Sequence, residues 1–235
     1  MRLNKFLARS GLASRRRCDD LIKNKKINVN GKVVTDFSTQ VKPDDIILCN
    51  GTIIEYLPEV EVYILNKPKG YISTSNDPFN RKRVIDLINK KGRYFTIGRL
   101  DRDTTGAILL TNDGELANIL MHPNYGVEKK YIISTKDNIP DFQLNKLIKG
   151  LRIDQHTIAK GKIKKLYKNK SFHFWEIILK EGKNREVKKI ILAMGSRVVN
   201  LHRKSFAGIT ADNLSMGKYR MLNKKEVNNL RKYSK

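Results

Sequence analysis

Cysteine is nearly absent from this chain, acid is scarce beside base, and no long apolar run occurs. The two cysteines, Cys18 and Cys49, are too far apart for a Cys-x-x-Cys pair and have no histidine near them, so no zinc site is expected. A reducing, cytoplasmic setting is. His122, His156, His173 and His202 show no ligand spacing, which leaves them core or surface roles and gives no reason to expect a metal. No stretch of about 18 apolar residues is present, and Met1-Arg2-Leu3-Asn4-Lys5 leads into a mixed segment rather than an apolar signal core. Neither a membrane span nor a secretory leader is expected.

The shortage of acid points to the partner. Against 48 lysines and arginines stand 23 aspartates and glutamates, a net charge of +25, which implies a polyanion, with nucleic acid favoured over an anionic membrane surface. Residues 1–57 hold +5 of that excess and the remainder +20, so both parts are expected to touch the same polyanion. A length of 235 residues suits a small domain plus a larger one, and 40% hydrophobic content argues against wholesale disorder.

The first 57 residues read as helix, helix, hairpin, hairpin. Leu3, Phe6 and Leu7 recur at helical spacing up to Ser10-Gly11, where glycine ends the helix. Ser14 is the expected N-cap of a second helix running to about Asn24. Arg15, Arg16 and Arg17 then fall in its first turn, where the helix dipole disfavours cations unless an anion also sits there. A phosphate resolves that conflict. Asn30-Gly31 and Asn50-Gly51, each between apolar or β-branched runs, predict two tight hairpins. Leu3-Asn4-Lys5-Phe6-Leu7-Ala8, Ala13-Ser14-Arg15-Arg16 and Val29-Asn30-Gly31 together resemble the RNA-binding module named after ribosomal protein S-four. That resemblance assigns Lys5, Arg15, Arg16 and Arg17 to RNA docking. A linker is expected at 58–61, opened by Leu57-Pro58, with a second domain from Val62 to Lys235.

Four motifs follow. Asn66-Lys67-Pro68-Lys69-Gly70-Tyr71 ends a strand in a turn and is expected to project its lysines. Gly98-Arg99-Leu100-Asp101-Arg102-Asp103-Thr104-Thr105-Gly106 places carboxylates among cations and reads as extended through Leu100, with Arg99, Asp101 and Asp103 on one side. A carboxylate weakens binding to a polyanion, so Asp101 wants a chemical reason. Ala107 to Leu110 continues as an apolar strand, and a short helix from about Glu115 to Met121 ends at His122-Pro123. Glu128-Lys129-Lys130-Tyr131-Ile132-Ile133 is a strand with Lys129 and Tyr131 on one face. Glu181-Gly182-Lys183-Asn184-Arg185-Glu186-Val187-Lys188-Lys189 turns from a strand end into a basic helix. The tail from Lys218 reads as a solvated helix end.

In this order the four motifs closely resemble the bacterial ribosomal RNA pseudouridine synthases of the RsuA/RluB/RluE/RluF group, and most the RluB branch. The resemblance implies an α+β fold: a small N-terminal ααβ module and a larger domain with a mixed, largely antiparallel sheet flanked by helices. It implies Asp101 as catalytic aspartate, Tyr131 as active-site tyrosine and Lys188 as the basic partner of Asp101, at a position where arginine is common. Arg99, Lys67, Lys129 and Arg185 become substrate-binding residues. The implied reaction isomerises uridine to pseudouridine in rRNA, with large-subunit (23S) rRNA or a ribosomal subunit precursor as partner, by base flipping onto the aspartate. Such an isomerisation changes no redox state and needs no cofactor or metal, and a monomer is expected. Two other readings stay open at this point: a catalytically silent RNA chaperone, and a metal-dependent nuclease using Asp101, Asp103 and Asp113.

Overall fold

The computed structural model describes residues 1–55, 59–90 and 92–234. Leu57 and Pro58, which open the expected linker, and Lys235 lie outside the described residues. The chain divides into two compact units: Met1–Glu61 with Lys90–Tyr94 and Asn112–Gly114, and Val62–Asn89 with Phe95–Thr111 and Glu115–Lys235.

In the first unit, α1 (Leu3–Arg9) and α2 (Arg15–Lys23) precede β1 (Ile27–Val29), β2 (Lys32–Val33), β3 (Ile47–Cys49) and β4 (Thr52–Ile53). The local signals act as expected. Ser14 Oγ accepts from Arg17 N at 3.2 Å, capping α2. Asn30-Gly31 and Asn50-Gly51 all take positive φ, from 49° to 81°, as two-residue hairpins require. The hairpins join through β1 and β3 into a sheet of order β2-β1-β3-β4. Leu3, Leu7, Cys18, Ile22, Ile27 and Ile47 form the core beneath it. Burial pushes the Cys18 thiol up to about 11, so it packs as a neutral apolar group.

The second unit is built on one sheet. Its strands are β5 (Val62–Lys67), β6 (Phe95–Ile97), β7 (Thr105–Thr111), β8 (Lys129–Thr135), β11 (Gly161–Lys168), β12 (His173–Leu179), β13 (Val198–Phe206), β14 (Ile209–Thr210) and β15 (Tyr219–Met221), while β9 (Leu151–Arg152) and β10 (Ile158–Ala159) form a separate ribbon. The helices are α3 (Gly114–Met121), α4 (Asp141–Lys149), α5 (Glu186–Ala193) and α6 (Lys224–Arg231). The main order is β11-β12-β8-β13-β7-β5-β15, with β14 on β13 and β6 on β7. Only the β13–β7 pairing runs parallel among these ladders, so the sheet is mixed and largely antiparallel, as expected. Among the described residues no helix is long and apolar enough to cross a membrane.

Two local expectations are corrected. The tail is more than a solvated helix end: Tyr219–Met221 pairs with Tyr63–Leu65 as an edge strand before α6. The Asp101 segment is a turn rather than an extended run, closed by Thr104 N donating to Asp101 O at 3.1 Å. Backbone satisfaction explains both, since β5 needs a second neighbour and the chain must reverse before β7.

Where β7 meets β13 in parallel, the two backbones nearly touch at Gly106. Its φ is +105°, and a Cβ there would stand 2.3 Å from the carbonyl oxygen of Arg203. Gly106→Ala is therefore expected to destabilise the chain by about 3 kcal/mol through backbone strain and overpacking. Urea unfolding with an unchanged midpoint would contradict this close approach.

Candidate active site

β5 delivers Lys67 into the interior, not to the surface. Its ammonium is fully buried and donates to the carbonyls of Pro68 (3.1 Å), Asp101 (3.0 Å), Arg102 (3.3 Å) and Thr104 (2.7 Å). The expectation that Lys67 binds substrate is therefore corrected: the turn that exposes Lys69 leaves Lys67 on the inward side, where carbonyls rather than a ligand take its protons. Burial pulls its pKa down to about 8, while Asp103 and Asp101 oppose that shift. Gly70 N adds a bond to Arg102 O at 2.8 Å, and Ser73 Oγ both donates to Leu100 O and accepts from Leu100 N. The Leu100–Thr104 loop is thus tied down along its whole length.

That loop presents Asp101 and Asp103 to Lys188, one turn into α5. The Lys188 ammonium lies 3.3 Å from Asp101 and 2.8 Å from Asp103. The bond from Lys188 holds Asp103 below the usual carboxylate range. The Lys188 side chain is 19% exposed, Asp101 38% and Asp103 68%, so this is a partly solvated triad in which Lys188 serves two carboxylates. Its worth to stability is on the order of 1 kcal/mol, well below that of a buried pair.

Asp101 and Lys188 border a cleft of about 970 Å³, near the top of the range for small-ligand pockets. Asp101, Tyr131, Lys188, Arg99, Lys129 and Arg185 all line it, which brings together every expected catalytic and substrate-binding residue except Lys67. Arg99 and Arg185 are exposed there. Lys129 is largely committed: its ammonium donates to Val127 O (2.7 Å) and Lys180 O (3.1 Å), and burial lowers its pKa to about 8.

Sequence reasoning missed Arg203. It stands opposite Tyr131 in the β8–β13 ladder, is 2% exposed, and donates through Nε to Ala107 O at 2.7 Å. Its guanidinium sits 5.0 Å from the Phe206 ring, its buried Nη2 has no hydrogen-bond partner, and the residue lines the cleft. Burial lowers its pKa, and Tyr131 opposes that shift. The available signal was Leu201-His202-Arg203-Lys204-Ser205, in which an arginine occupies the inward phase of a strand. Among the described residues, no three His, Cys, Asp or Glu side chains are grouped so as to hold a metal ion.

In the first unit, Arg15, Arg16 and Arg17 are exposed at the start of α2, with Arg17 3.8 Å from Asp20. Lys5 is half-buried on α1.

Residues 61–193 match the model of the RNA pseudouridylate synthase family, and residues 1–47 match that of the S4 domain. A ribosomal large subunit pseudouridine synthase B of Bacillus subtilis is 41% identical over 233 residues, an alignment covering 98% of this chain and 95% of that protein. A ribosomal large subunit pseudouridine synthase B of Pseudomonas aeruginosa is 33% identical over 234 residues, covering 96% of this chain and 60% of that longer protein. The fold is similar to a crystal structure of a pseudouridylate synthase, with a TM-score of 0.68 at 26% identity and coverage of 98% and 99% of the two chains.

Removing the buried ammonium should loosen the loop it holds. Lys67→Met leaves four carbonyls without their donor and is expected to cost about 3 kcal/mol of stability. Thermal unfolding checks the stability loss, and hydrogen exchange at the Thr104 and Gly70 amides, which bond to carbonyls of that loop, checks the loosening; wild-type protection of both in a folded variant would contradict the anchoring role.

Proposed function

The chain belongs to the RNA pseudouridylate synthase family, and from that premise we propose that it isomerises a specific uridine of large-subunit rRNA to pseudouridine, with Asp101 as the reacting carboxylate. The observation that carries this reading is Asp101 itself, an ionisable acid at the edge of a cleft otherwise rich in cations and held there by Lys188. A surface that only gripped RNA would have no use for it.

The reaction breaks N1–C1′, turns the uracil and joins C5 to C1′; the proton lost from C5 balances the one gained at N1. Asp101 acts as nucleophile or base. Lys188 orients it while Asp103 holds the other side of the ammonium. Unstacking the target base costs a few kcal/mol, which Tyr131 offsets by stacking, an interaction worth about 1–3 kcal/mol. Arg99 and Arg185, exposed on the cleft rim, take the flanking phosphates. Residues 1–57, through Lys5, Arg15, Arg16 and Arg17, dock the RNA without taking part in the chemistry.

Asp101→Asn is expected to abolish pseudouridine formation on an rRNA transcript while leaving affinity unchanged or improved, because it removes both the reactive group and a negative charge. Single-turnover conversion measured beside a binding titration tests this. Appreciable conversion by the purified variant removes Asp101 from the reaction.

Lys188→Met is expected to slow the single-turnover rate at saturating RNA at least tenfold, whereas Lys188→Arg, which keeps the charge, retains most of it. Equal rates in wild type and Lys188→Met would return Lys188 to a purely structural role.

A further inference from the structure

The pleat of the second sheet separates two surfaces. Lys129 and Tyr131 face the cleft; Lys130 and Ile132 point to the reverse side, where Phe174, Glu176, Ile178 and His202 are all only partly buried. β11 is the edge strand of this region and begins beside Leu179, which lines the cleft. Residues 160–170 hold six lysines and no acid, and all six are exposed. Lys164 is drawn to Glu176 at 3.1 Å. Lys160, Lys162, Lys168 and Lys170 are paired with no carboxylate among the described residues.

A lysine-rich edge can serve merely to prevent strand pairing, but it does not account for what stands among these lysines. A bulge between Lys165 and Tyr167 brings Tyr167 opposite Phe174, and the two rings stack with centroids 4.4 Å apart at 18°. Tyr167 remains 56% exposed. The tip beyond it is rigid, because Asn169 Oδ1 accepts from Ser171 N and Phe172 N at 2.9 and 2.8 Å. A braced aromatic with an open face, with Lys162 on its own side of the edge strand and Lys168 on the other, is the chemistry that holds an unpaired base and its phosphates.

We infer that the β11–β12 hairpin is a second RNA-docking arm of the catalytic unit, on which a single-stranded segment of the substrate RNA leaves the cleft at Leu179, crosses the sheet edge beside Gly161, follows the lysines of β11 and stacks one base on Tyr167 on the reverse face. The strand is about 25 Å long at its usual rise, enough for several nucleotides. This rests on the proposed action on RNA and adds where the RNA beyond the target nucleotide lies.

The test uses the full chain and a large-subunit rRNA transcript. Lys162→Gln/Lys168→Gln/Lys170→Gln should weaken binding about tenfold at physiological salt and reduce the slope of log affinity against log salt by about 2. Tyr167→Leu should weaken it about fivefold or more with the slope unchanged. For both, conversion at saturating enzyme should keep the wild-type single-turnover rate; the urea midpoint should match for the exposed lysines and fall slightly for Tyr167→Leu, which loses the stack on Phe174. Wild-type affinity in either variant overturns the inference. Failure of the wild type itself to form pseudouridine would instead overturn the functional reading, so the two failures are distinguishable.

Discussion

The active-site loop depends on one buried cation. An ammonium taken from water is costly unless its protons are satisfied, and Lys67 finds its acceptors in the backbone of the loop that carries Asp101 and Asp103. Fold stability and loop geometry are thereby coupled, because the charge is tolerated only while the loop keeps its turn. The carbonyls of Asp101, Arg102 and Thr104 all point inward at Lys67, which leaves the side chains of Asp101 and Asp103 directed outward to Lys188.

A second constraint is the contact of β7 with β13. The single parallel ladder in an otherwise antiparallel sheet sets the strand that follows the Asp101 loop beside the strand that carries Arg203. Gly106 allows the close approach. Arg203 then reaches back to Ala107 O and braces the strand from the cleft side while standing opposite Tyr131. Tyrosine and buried arginine are therefore fixed by one register of the β8–β13 ladder, beside the loop that Lys67 holds, which suits the proposed meeting of a carboxylate and a flipped base in one geometry.

What was legible in the sequence was local. Asn-Gly pairs fix positive φ by their own chemistry, Ser14 caps its helix through an adjacent N–H, and the Lys129–Thr135 pattern alternates on its own. What was not legible depends on partners far along the chain. Lys67 looks like any lysine beside a Pro-Gly turn until carbonyls 34 and more positions away close around it. Arg203 looks like one more cation in a +25 chain, and nothing near it announces that its strand lies between β8 and β7 with this side chain on the buried face. Tyr219–Met221 becomes a strand only because β5 offers an open edge. The pairing of Lys188 with Asp101 came from resemblance rather than residue chemistry, which is why Asp103, the nearer carboxylate, was absent from it.

The sharing of Lys188 has a consequence for an enzyme acting on a polyanion. RNA raises the local negative potential as it enters, and a lone carboxylate would then compete with phosphates for the nearest cation. Here one ammonium stands between two carboxylates, with Asp103, 68% exposed, on the solvent side and the less exposed Asp101 on the other. Asp103 thus gives Lys188 a second anionic partner, so that on the proposed reading the single-sign charge of the surrounding surface can serve capture while the ammonium stays beside Asp101.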